Sequence, residues 1–176
     1  MLFSERSLWT MLHGIGLGGA ALVGLAAALS YLYAARPVPL SSDAETGSRA
    51  FATVTVFTAL MLWLTVIIGT YIIFPLYRAT PPPGTADLSE FPRALILATP
   101  STAWLHAFAM ETKEHMPWIA SMLTTAVAFI AVRYRRTALS NPALRRMAFT
   151  LLAVSFAVVT FVSLLGAFVN KVAPLD

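Results

Sequence analysis

The chain contains no cysteine. Without a thiolate it can hold no disulfide, iron–sulfur cluster, thiolate-bound zinc or c-type haem. Charge is also scarce, at 11% of residues against roughly 25% in an average soluble domain. No carboxylate and no lysine falls inside the four apolar runs described below. That argues against a proton pump or an ion-coupled transporter, whose pathways place ionisable groups within their spans. No internal repeat is evident, and no nucleic-acid partner is expected.

Apolar residues make up 58% of the 176, and the mean hydropathy is +0.75. Such a composition implies an integral membrane protein. The length suits a single transmembrane domain over residues 1–176, with only short loops outside the bilayer.

A helix rises about 1.5 Å per residue and the hydrocarbon core is about 30 Å thick, so a span needs roughly 20 apolar residues. Four runs meet or approach this, over residues 8–35, 50–77, 117–133 and 147–170. Ser4 is a plausible N-cap for the first, and Arg36-Pro37 closes it. The first run is too long for a secretory signal, and Glu5-Arg6 supplies no positive leader. The expected fold is all-α, a four-helix membrane bundle.

The loop between the third and fourth runs carries Arg133, Arg135, Arg136, Arg145 and Arg146 without an acid. The positive-inside rule places it in the cytoplasm, so both termini lie outside, on the periplasmic face of the cytoplasmic membrane. The same cluster is a candidate site for anionic lipid. The segment between the second and third runs then lies outside. Thr99-Pro100 has the form of a helix start, predicting an interfacial helix over residues 100–114 before Pro117 turns the chain into the third span. A single kinked helix is the alternative.

This topology puts all three histidines in one layer. His13 lies near the start of the first span, and His106 and His115 belong to the outer loop. Histidine beside a membrane span is costly and usually functional. Gly14 and Gly18 follow His13 at helical spacing, either for close helix packing or as a slot for a flat macrocycle beside an axial ligand. His106 shares a helical face with Met110, and Glu111 shares one with His115. His106 and His115 are nine apart, about 900° of turn, and so point in nearly opposite directions. His13 and His106 are the candidate metal ligands, with His115 or Met110 as substitutes. Glu111 and Glu114 are the candidate proton acceptors for quinol oxidation.

His13 with its glycines, facing a second histidine across four helices, resembles the small membrane-anchored b-type cytochromes and haem-bearing anchor subunits of bacterial quinone oxidoreductases. The resemblance is one of architecture. It implies haem b, a quinone partner and electron transfer to other membrane subunits of a respiratory or photosynthetic complex. Those bundles usually keep both axial histidines within spans, whereas here one would come from an interfacial helix. The rival expectation is an accessory subunit without a cofactor that scaffolds a membrane complex and docks a periplasmic protein.

Overall fold

The computed structural model describes residues 4–34 and 42–174, with side chains described throughout except at residues 42–44. The expected closure of the first helix at Arg36-Pro37 lies outside the described residues. Four helices are long and apolar enough to cross a membrane: α1 (Glu5–Ala34), α2 (Glu45–Arg78), α4 (Leu105–Tyr134) and α6 (Pro142–Val172). Two short helices, α3 (Pro92–Leu97) and α5 (Arg136–Ser140), sit in the connections. Among the described residues there is no strand.

Local chemistry sets the helix ends. The Ser4 hydroxyl accepts the Ser7 amide at 3.2 Å and caps α1. The Asn141 side chain accepts the Ala143 and Leu144 amides at 2.9 and 3.2 Å, and Pro142 takes the first helical position of α6, where no amide hydrogen is needed. The proline run after α2 turns at Gly84, whose φ of 82° suits a residue without a Cβ. The Ser89 amide then donates to Asp87 at 2.9 Å, which holds that carboxyl below the usual carboxylate range.

The four long helices form a closed ring in the order α1, α2, α4, α6, each packed on its two neighbours. Arg6 near the start of α1 reaches the Pro174 carbonyl beyond the end of α6, and Tyr77 near the end of α2 meets His106 near the start of α4. Neighbours are therefore antiparallel. One end of the bundle carries the histidines, and the other carries Arg49, Arg133, Arg135, Arg136, Arg145 and Arg146.

The core mixes small residues and hydroxyls (Ala21, Gly24 and Ala28 of α1, Thr55 and Thr58 of α2, Ala120, Ser121 and Thr124 of α4, Ala148 and Ser155 of α6) with large apolar side chains such as Leu25, Leu32, Phe51 and Leu152. Lipid tails are as apolar as leucine, so such a bundle is held by close packing rather than by hiding apolar surface. Most of these hydroxyls bond back to their own helices, as Thr58 does to Val54 at 2.7 Å and Ser155 to Leu151 at 2.9 Å, whereas the buried Thr124 hydroxyl has no hydrogen-bond partner among the described residues. Outward faces remain apolar, with Ile15 74% and Phe129 63% exposed. Trp63, half-buried at mid-helix, donates to Thr125 at 2.9 Å and packs edge-on against Trp118, tying α2 to α4.

One expected break is missing. The expected helix over residues 100–114 followed by a turn at Pro117 is replaced by the continuous α4, with Pro117 inside it. Thr99 and Pro100 instead begin a series of turns, with the Thr102 and Ala103 amides donating to the Thr99 carbonyl at 3.0 and 3.2 Å. Proline in a helix forfeits one backbone bond and crowds the preceding turn. Here the following turn is packed on its buried side by Ala120, Ser121 and Thr124. Interhelical packing of this kind is what lets membrane helices keep a proline.

Candidate functional site

Three stretches of widened, π-type turn occur among the described residues, over Leu12–Gly18, Gly69–Ile73 and Leu105–Met110. All three belong to the histidine half of the bundle, and two of them contain a histidine. Such turns are rare and gather at functional sites. The one in α2 directly precedes Pro75, whose ring demands room in the turn before it.

His13 is half-buried and faces α2. Its Nδ1 donates to the Thr65 carbonyl at 2.9 Å. A carbonyl only accepts, so the proton of the neutral ring sits on Nδ1 and Nε2 keeps its lone pair. The ring lies over Gly69, where an added Cβ would come within 2.7 Å of His13 Cε1. Gly69 is thus the seat of the imidazole. The glycines after His13 divide in role: Gly14 is exposed with nothing within 4 Å of a built Cβ, while Gly18 is buried against the His13 carbonyl. The closest approach of α1 and α2 is lower, at Gly24 against Thr58.

His106 is half-buried and meets Tyr77, whose Oη lies 3.0 Å from Nδ1. Tyr77 is buried in a cluster with Ile96, Leu105, Ala109, Met110 and Leu165. Arg78, Arg93, Glu111 and Glu114 all act electrostatically on Tyr77, and Arg78, Arg93 and Glu111 act on His106 as well. The Arg93 Nε is buried without a hydrogen-bond partner among the described residues.

His115 points elsewhere. It is exposed, and its Nδ1 donates to the Glu111 backbone carbonyl at 2.8 Å rather than to a carboxylate. Glu111 is exposed and Glu114 half-buried beside the Tyr77 group. No cluster of three or more metal-binding side chains occurs among the described residues. His13 and His106 take their contacts at different levels of α2: Gly69 and Tyr77 are separated by about 12 Å of helical rise.

One side chain departs from the expected absence of lysine in the spans. Lys113 belongs to α4, and its ammonium packs between helices, where a Cβ on Gly166 of α6 would come within 2.8 Å of Nζ. It lies close enough to His13 for their charges to interact. The sequence reading ends the third span at Pro117, whereas the helix itself continues to Leu105 and so carries Glu111, Lys113 and Glu114. Helical phase offered the missing signal: Lys113 follows His106 by seven residues and Met110 by three, so the three share one stripe. Tyr77, Thr65 and Gly69 left no comparable mark, since a membrane helix holds many such residues for packing alone.

No protein-family model, curated protein or solved structure matches the chain. The functional reading therefore rests on these side chains.

Proposed function

We propose that the chain is a multi-pass subunit of a bacterial cytoplasmic-membrane electron-transfer complex that binds quinol at its histidine end, on the outer face. The observation that carries this reading is the Tyr77–His106 hydrogen bond at the rim of an apolar bundle. Tyrosine can donate or accept, so His106 Nε2 can take either complementary role. It donates to a quinone carbonyl in one tautomer and accepts a quinol hydroxyl in the other. Arg93, whose buried Nε has no hydrogen-bond partner among the described residues, would supply a donor for the second oxygen.

Quinol oxidation releases two electrons and two protons. His106 would take one proton and Glu114 the other, with Glu111 beyond it toward solvent as the way out. The two electrons would pass to an electron-accepting group of a partner subunit. The test is binding of a short-tailed benzoquinol to the purified full chain. Tyr77→Phe should weaken it roughly tenfold, the worth of one hydrogen bond in a polar network. His106→Ala should abolish it with helicity unchanged. Unaltered binding in both variants would refute the site and favour the cofactor-free scaffold.

The tether on His13 favours a haem ligand as a second element. A metal-bound histidine donates its other N–H to a carbonyl or carboxylate, and His13 does so to Thr65. The donor chemistry of His13 would fit haem b, and His106, whose contact on α2 lies about 12 Å of helical rise from Gly69, is not placed to share a group with it. Haem b would supply a one-electron carrier there. Loading with haem should give Soret and α bands that His13→Ala removes; bands that survive this change would place the ligand elsewhere.

A further inference from the structure

At the arginine end, the outer surface between α2 and α4 carries a depression of about 360 Å³ lined by Ser48, Arg49, Ala52, Thr53, Val132 and Arg135. A second, of about 340 Å³, shares Ala52, Thr53 and Val132 with it and continues along Val56, Phe57 and Leu60. Together they form one groove, cationic at its mouth and aliphatic beyond. From Arg49 to Leu60 the groove follows about 16 Å of helix, close to half the hydrocarbon thickness of about 30 Å.

The charge at the mouth is unbalanced. Glu45 meets Arg49 Nε at 3.1 Å and Arg135 Nη1 at 3.9 Å, and it also pairs with Arg136. Among the described residues, three guanidinium groups surround one carboxylate, an excess of two positive charges. The two that line the groove are the more open ones, with side chains 71% exposed for Arg49 and 66% for Arg135. Arg135 also adopts a φ of 44°, unusual for a residue with a Cβ, at the point where α4 ends. Such a conformation persists where the surroundings hold it. Its amide still bonds the Ala131 carbonyl at 3.1 Å, so the residue stays over the last turn of α4, beside the groove.

We propose that this groove is a binding site for an anionic phospholipid, with the phosphate held by Arg49 and Arg135 and one acyl chain lying along Ala52, Val56, Leu60 and Val132. Guanidinium groups suit phosphate oxygens geometrically, and an apolar channel of this length matches a tail reaching toward the bilayer midplane. A soluble phosphate would leave the channel unused, and a zwitterionic lipid would leave the charge unmatched. The site is independent of the redox reading and lies at the opposite end of the bundle.

The test is native mass spectrometry of the full chain, released from detergent with equal amounts of dioleoyl phosphatidylglycerol and dioleoyl phosphatidylcholine. The wild type should retain phosphatidylglycerol preferentially. Replacing both Arg49 and Arg135 by glutamine should reduce that preference roughly tenfold or more. Glu45→Gln removes the competing carboxylate and should raise it, an outcome that loss of structure does not produce. Equal retention of the two lipids by the wild type, or an undiminished preference in the double variant, would overturn the proposal. So would a fall in preference with Glu45→Gln.

Discussion

Gly24→Val should cost more stability than any other single change considered for this chain. A Cβ at Gly24 would collide with the Thr58 hydroxyl and lie 3.2 and 3.3 Å from Thr58 Cβ and Cγ2. Thr58 cannot retreat, because it is fully buried and its hydroxyl bonds Val54 at 2.7 Å. Overpacking a close-packed interior costs typically about 1–3 kcal/mol and occasionally more, and valine adds two further methyl groups to the collision. In a chain of this size the melting temperature in detergent should fall by roughly 5–10 °C. Gly14→Val is the control, since nothing lies within 4 Å there and the melting point should stay nearly constant. Gly24→Ala combined with Thr58→Gly should recover most of the loss; failure to do so would locate the stress elsewhere.

Lys113→Met should act in the opposite direction. The ammonium sits between α4 and α6 beside Gly166 and makes no hydrogen bond or ion pair with any described residue. Lys113 is half-buried, so its ammonium gives up part of its hydration between the helices, and no partner among the described residues repays that cost. Methionine keeps the length of the stem and discards the charge. The variant should gain about 1 kcal/mol, seen as a higher melting temperature. A fall instead would reveal an anionic partner that stabilises the lysine. An ionisable side chain packed between apolar helices is usually functional, and Lys113 lies beside His13 at the histidine end. If the proposed function holds, a gain in stability should accompany a loss of electron transfer.

The helices could be read from the sequence because the signal is long. Some twenty apolar residues without charge have no other stable form in lipid, and the expected limits fall close to the ends of α1, α2 and α6. Ser4 was legible as a cap because a hydroxyl before a charged first turn has a specific task there. The start of α4 was not, because Pro117 reads locally as a break while the packing that sustains it is tertiary. Within the site, helical phase separated His106 from His115, and the structure places one against Tyr77 and the other in the open. The seat at Gly69 could not be foreseen. Only the approach of α1 to α2 distinguishes that glycine from those used for packing.

The central claim is that quinol binds at Tyr77 and His106, and pulsed electron paramagnetic resonance of the semiquinone examines that contact directly. The full chain is labelled with ¹⁵N-histidine and poised with a short-tailed quinone at a potential where the radical accumulates. The account predicts a nitrogen coupling that changes with the label, disappears in His106→Ala and persists in His115→Ala. A bound semiquinone without histidine coupling, or one whose coupling survives His106→Ala, would contradict it.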